Sequence, residues 1–270
     1  MADEPSWVPP GVDTKRANVA RVYDYWLGGS HNFLADQDVG RAIAAVEPNM
    51  RAIARANRAF LGRAVRFLAA AGVQQFLDIG SGIPTEGNVH EVAQRADPRA
   101  RVAYVDIDPV ASAHSQAILA GNENAEIAEA DLRDPDKILT HPAAERLIDF
   151  GQPAGLLLVV VLHFIADTDD PWRLVATLRD ALAPGSYLAL GHATYEGKPA
   201  VARATEKVYN RSVSTELHMR SRAEILRFFD GFELVDPGLV YAPMWRPDVP
   251  ADVPSDPSQF GCLVGVARKP

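Results

Sequence analysis

A short apolar run, Phe76-Leu77-Asp78-Ile79, breaks at Gly80-Ser81-Gly82, and a helical period takes over just past Pro84. Strand, glycine turn and helix in that order open a nucleotide-binding α/β sheet. The same alternation continues along the chain. Strands are predicted at Arg101 to Ile107, Ala125 to Ala130, Leu156 to Leu162 and Tyr187 to Leu190. Helices are predicted after the turn (stripe Val89, Val92, Ala93, Ala96), over Pro109 to Leu119, and after Asp170-Pro171 (stripe Leu174, Val175, Leu178, Leu182). Strands alternating with helices imply a parallel sheet wound on both faces. Beyond Leu190 the regularity lapses over Gly191 to Arg220, which reads as an inserted helical cover. A helix over Arg222 to Phe229 then leads to Phe232 to Val235 and Gly261 to Ala267, a closing antiparallel pair.

Ahead of the turn the pattern is helical. After a lead-in to about Gly11, Asp13 is placed to cap a helix carrying Val19, Val22, Tyr23 and Trp26, which Gly28-Gly29 stops. The polar and aromatic stretch Ser30 to Asp38 is either a flap over a ligand or a loop packed on the core. Pro48-Asn49 opens a longer helix, closed by Gly72, with Ile53, Phe60, Ala64, Phe67 and Ala71 inside. Its Arg51, Arg55, Arg58 and Arg66 read as a solvated face rather than an anion contact. The division expected is a helical extension over 1–72 and one compact domain over 73–270.

Composition narrows the partners. A hydrophobic fraction of 47% is that of an ordinary globular protein, and a net charge of -8 disfavours nucleic acid and anionic membranes. The single cysteine, Cys262, excludes an intrachain disulfide and a cysteine-rich zinc cluster. No apolar run is long enough for a membrane span and the N-terminus lacks a secretory pattern, so a cytoplasmic protein is expected.

Candidate chemistry sits at the predicted strand ends: Gly80, Asp106, Asp131 and His163, where open parallel sheets bind ligands. The turn lacks the third glycine of a dinucleotide fingerprint, since Thr85 stands there after Pro84. Asp106 lies at the spacing where an acid meets ribose hydroxyls, with Asp108 as a rival that looks more like a helix cap. Asp131 suits an adenine amino group and the Leu132 N–H a ring nitrogen; the alternative for Asp131 is a cap of the helix near Pro135.

Phe76 to Gly82, Tyr104 to Pro109 and Ala130 to Pro135 resemble the three cofactor motifs of class I S-adenosylmethionine-dependent methyltransferases. ARVYDYWLGGSHNF, PTEGNVHEVAQ, VVVLHF and ALAPGSYL further resemble an actinobacterial branch of that superfamily, long catalogued as a domain of unknown function. The resemblance runs from about residue 13 to the C-terminus. It implies a Rossmann-like, doubly wound seven-stranded α/β sheet, mostly parallel with one antiparallel strand near the C-terminus, plus N-terminal helices. S-adenosylmethionine is then the cofactor, with Tyr23, Asn32, Asp78, Gly80, Ser81, Gly82, Asp106, Ile107, Asp131, Leu132 and Leu162 as its candidate contacts.

The acceptor implied is a small molecule. His163 is the first candidate base, because a free imidazole titrates near neutrality, and His192 the second. Tyr23, Asn32 and Phe33 are expected to close over the cofactor, and Tyr195 and Tyr209 over the acceptor. No metal is expected. Two other readings compete: a non-catalytic sensor that only binds the cofactor, and a nicotinamide-dependent oxidoreductase.

Overall fold

The computed structural model describes residues 8–9, 12–84, 87–213 and 215–270. Thr85, Gly11 and most of the lead-in lie outside them. Three helices come first: α1 (Val19–Leu27), α2 (Leu34–Val46) and α3 (Met50–Ala70). The α/β alternation follows as β1 (Gln75–Ile79), α4 (Val89–Ala96), β2 (Arg101–Asp106), α5 (Pro109–Leu119), β3 (Ala125–Glu129), α6 (Pro135–Leu139), α7 (Pro142–Leu147), β4 (Gly155–Val159), α8 (Pro171–Ala181) and β5 (Tyr187–Ala193). The chain ends with α9 (Pro199–Ser212), α10 (Arg222–Leu226), β6 (Glu233–Leu234), β7 (Val240–Tyr241) and β8 (Cys262–Arg268).

The sheet runs β3-β2-β1-β4-β5-β8-β6, with β7 also on β8. β1 to β5 are parallel, and β8 lies antiparallel to β5, β6 and β7. One reversed strand near the C-terminus is as expected, but there are eight strands, not seven. Two short segments share one flank of β8: Glu233 and Leu234 pair with Arg268 and Ala267, Val240 and Tyr241 with Val264 and Leu263. The closing pair is antiparallel as expected, with β8 inserted between β5 and β6.

Each central strand is buried on both faces, as a covered parallel sheet requires. The strand period of two divides β1: Leu77 and Ile79 join the face covered by α8, while Phe76 joins the face covered by α3. Asp78 has the parity of Phe76, so its carboxylate is buried on the α3 side.

The N-terminal helices depart from expectation in two places. Asn18, not Asp13, caps α1, its side chain accepting from the Ala20 N–H at 2.7 Å. Most of the stretch read as flap or loop is the start of α2, because Asp36 accepts from the Phe33 N–H (2.8 Å) and turns the chain into a helix. α1 packs against α2 and α3, and α2 against α9, so the extension and the inserted cover meet as one roof. The roof is fastened to the sheet by buried Arg21, whose Nε lies 3.6 Å from Asp108 and 3.9 Å from Asp36.

Candidate active site

β1 ends in a turn held by its neighbour. The Gly80 and Ser81 N–H groups both donate to the Val105 carbonyl, at 2.8 and 3.2 Å. Gly80 has φ 73°, and a Cβ there would come within 2.3 Å of Val161. Glycine is thus required by conformation and by the close approach of the chain leaving β4. The Gly82 N–H donates to Asp106 Oδ2 at 2.7 Å, and the Asp108 N–H to Asp106 Oδ1 at 2.9 Å. Asp106 is thereby fixed in orientation, with lone pairs left for further donors. Asp108 caps α5, accepting from the Val110 N–H at 2.7 Å.

Between these strand ends and the roof lies a cavity of about 520 Å³, a size that suits a small-molecule site. Gly80, Ser81, Gly82, Asp78, Asp106, Ile107, Asp131 and Leu132 line one half of it. Ile107 is 53% exposed although apolar, which leaves a flat hydrophobic surface next to Asp106. The Ser81 hydroxyl is buried without a partner among the described residues. Asp131 is ion-paired with Arg133 (2.6 Å), and its lone pairs are shared between that guanidinium and the cavity.

Burial dominates the acids of this half. Desolvation pushes Asp78 up to about 7, against the attraction of Arg58 and with some help from Asp106. It pushes Asp106 up to about 6, opposed by the N–H groups of Asp108 and Gly82. Arg58 lines the cavity beside them, unlike Arg66, which pairs with Asp248 at the surface. Of the four arginines read as a solvated face, Arg58 therefore belongs to the site.

The other half is closed by the roof and the cover. Tyr23, Trp26, Glu47 and Met50 line it from the N-terminal side; Thr205, Tyr209 and residues 215–219 line it from α9 onward. The Tyr23 hydroxyl donates to the Ala54 carbonyl at 3.1 Å, and burial raises it to about 12. The Tyr209 phenol is raised further by the same cause. The Asn57 Oδ1 and Thr205 Oγ1 are buried without partners among the described residues.

Several sequence candidates sit elsewhere. Asn32 lies off the cavity, its amide donating to Asp24 Oδ2 (2.7 Å) and the Gly29 carbonyl (3.0 Å), so it shapes the loop between α1 and α2. Leu162 is wholly buried in the sheet's core, in a 3₁₀ turn rather than at the end of β4. The strand stops at Val159 because Val160 takes a φ of 60° and bends the chain; Val160 and Val161 line the cavity instead. Tyr195 lies outside the lining. His192 is inside β5, fully buried, donating from Nδ1 to the Ala193 carbonyl (2.7 Å) and accepting at Nε2 from Arg220 (2.8 Å).

His163 does line the cavity, but without the free imidazole's pKa. Burial, then the charges of Arg220 and His218, lower it to about 3. Its Nδ1 accepts from the Ala193 N–H at 3.4 Å, which assigns the proton to Nε2. It presents a donor, and is too weak a base for proton removal near neutrality. Arg220, which sequence reasoning missed, holds this corner together. It donates to the Leu162 (3.0 Å) and Ile165 (2.8 Å) carbonyls, pairs with Asp167 (2.6 Å) and lies over the Trp172 ring.

A glycine turn beside an acid that ends the second strand, under strands ordered 3-2-1-4-5 with a reversed strand beyond, is the class I S-adenosylmethionine-dependent methyltransferase arrangement. The chain belongs to the S-adenosyl methyltransferase family, whose profile it matches over residues 5–270. It is similar to a candidate methyltransferase from Thermobifida fusca YX (44% identity, 98% of this chain and 99% of that one, TM-score 0.92). It is also similar to a DUF574 family protein from Streptomyces avermitilis (39%, 96% and 99%, TM-score 0.92). The N-methyltransferase NodS from Bradyrhizobium japonicum, in complex with S-adenosyl-L-homocysteine, shares the fold at 15% identity (87% and 97%, TM-score 0.50). No curated protein matches the chain. Family membership makes this an S-adenosylmethionine-dependent methyltransferase rather than a nicotinamide-dependent oxidoreductase. Among the described residues no helix is long and apolar enough to cross a membrane.

Proposed function

We propose that the protein transfers a methyl group from S-adenosylmethionine to a small molecule held under the roof. The observation that carries this is Asp106, oriented by the Gly82 N–H at 2.7 Å on the rim of a cavity whose far half has its own lining. When bound, the cofactor supplies a methyl group on a positively charged sulfur. Asp106 accepts from the ribose hydroxyls with the lone pairs left to it, a charge-assisted and bidentate contact. Ile107 covers one face of the adenine. Asp131 accepts from its amino group and the Leu132 N–H meets a ring nitrogen. Asp78 and Arg58 match the ammonium and carboxylate of the methionine end. Gly80, Ser81 and Gly82 leave room for the chain between them, and Tyr23 closes it from α1.

The roof contributes by exclusion and alignment. Holding acceptor and methyl in line supplies roughly 7–11 kcal/mol of the barrier reduction, so the residues need to position more than to react. The 1–72 extension is on this reading the cap of the 73–270 domain, with α3 anchoring it to the sheet. The enzyme is taken to act in the cytoplasm, without a nucleic-acid or membrane partner. Calorimetric titration with S-adenosylmethionine and S-adenosylhomocysteine, followed by S-adenosylhomocysteine release with a panel of small acceptors, tests the reading. Cofactor affinity unaffected by loss of the Asp106 carboxylate would defeat the assignment.

A further inference from the structure

Two imidazoles face the acceptor half, and their surroundings differ. His163 is buried against Phe164 and His192, with its Nδ1 occupied by the Ala193 N–H. His218 is carried by the cover segment after α9, where its backbone N–H donates to the His163 carbonyl at 2.7 Å. Its side chain keeps 30% of its surface, lines the cavity, and has Nε2 3.8 Å from Glu216 Oε2. A partly exposed imidazole on a cavity wall with a carboxylate close by is placed to take a proton from a bound acceptor. The walls around it are ring-rich: Tyr23, Trp26, Phe164 and Tyr209 line the same space, Phe164 and Tyr209 with centroids 5.7 Å apart. Such walls favour a flat aromatic guest.

Building on the methyl-transfer reading, we propose that His218, oriented by Glu216, takes the proton from a hydroxyl on a planar aromatic acceptor. The O–H bond breaks and its proton passes to the unprotonated ring nitrogen of His218. The oxygen's electron pair forms the bond to the methyl carbon, and the pair of the C–S bond stays on sulfur as a neutral thioether. The positive charge thus moves from sulfur to an imidazolium beside Glu216, which is 68% exposed and passes the proton on to water. His163 donates from Nε2–H and holds the acceptor in place. Other charged groups reach this space from neighbouring elements. They are Glu47 just past α2, Glu196 and Lys198 ahead of α9, and Asp169 ahead of α8; behind the lining, Glu206 Oε1 accepts from the Met219 N–H at 3.3 Å and Arg220 follows Met219.

The test compares phenol, which titrates near pH 10, about as a tyrosine does, with pentafluorophenol, which is already ionised at neutrality. S-adenosylhomocysteine release is measured for wild type, His218→Gln, Glu216→Gln and His163→Gln. Loss of a general base costs on the order of 10²-fold or more, so His218→Gln is expected to lose that much with phenol and little with pentafluorophenol. With phenol, the activity lost in His218→Gln should recover as pH approaches about 10, where the acceptor ionises unaided. Glu216→Gln follows the same selectivity with a smaller loss, whereas His163→Gln loses equally with both. Equal losses in His218→Gln, no loss at all, or the selective loss appearing in His163→Gln would each overturn the proposal. So would a wild type that binds S-adenosylmethionine in calorimetry but methylates neither phenol. Absence of that binding would instead remove the methyl-transfer reading beneath it.

Discussion

The two halves of the cavity are built on different principles. The cofactor half comes from consecutive strand ends, where a glycine turn, Asp106 and Asp131 are placed by the sheet's own hydrogen bonds within sixty residues of sequence. The acceptor half is assembled from α1, the start of α3, the turn after β4, α9 and residues 215–219, brought together only by packing. The first half is specified locally and tolerates little change. The second depends on fasteners just behind the cavity lining, above all Arg220 and Arg21. A sheet edge can therefore hold one cofactor while the roof is varied for different acceptors.

That contrast can be broken or sharpened by mutation. The largest effect is expected from Arg220→Met, which strands the Ile165 carbonyl and His192 Nε2 in the interior. Breaking a buried charged network costs roughly 3–5 kcal/mol, read by urea unfolding. In protein that remains folded, cofactor affinity should stay near wild type, and a collapse of that affinity would show the halves are not separable. Asp106→Ala should do the reverse. Two lost charge-assisted hydrogen bonds at about 1.5 kcal/mol each amount to about 100-fold in S-adenosylmethionine affinity by calorimetry, with a smaller change in stability.

Gly80→Ala strikes both halves, since its Cβ meets Val161 on the chain that leads to His163. Left-handed strain and overpacking together predict about 2–4 kcal/mol of lost stability. A fully stable variant would mean that the turn after β4 moves aside freely.

A pH dependence probes the same contrast without any mutation. Asp78 and Asp106 are raised to about 7 and about 6 by burial, so the fold favours their protonated forms relative to the unfolded chain. Their contribution makes the ligand-free protein lose stability as pH rises from about 4 through 7. A cationic ligand binds the ionised forms, so affinity should climb over that range, by up to about tenfold per pH unit for each proton released. Calorimetry between pH 5 and 8 checks this. Asp78→Asn should flatten the upper part of the curve, and a flat wild-type profile would sever the acids from binding.

Much of the first half was legible because its signals are short-range. A glycine forced by a turn, a proline after a capping aspartate and strand runs bounded by breakers all act within a few residues. The limits of β1, α5 and α8 follow such signals closely. Where non-local contacts decided the outcome, the reading slipped. Leu162 looked like the continuation of an apolar strand, yet Val160 bends the chain and Arg220 caps the turn that follows. Asn32 looked like a ligand contact, yet Asp24 claims its amide. The start of α2 looked like a loop because its capping acid, Asp36, is an internal residue of a polar stretch.

The order of apolar runs and breakers determined by itself the alternating sheet, its glycine turn and the acids at the strand ends, because each rests on steric and hydrogen-bond rules within one element. Only the tertiary structure decided which imidazole is buried and which stays open, and how the roof meets the strand ends. Desolvation and long-range ion pairs fix those choices, and neither is written in the spacing of residues along a chain.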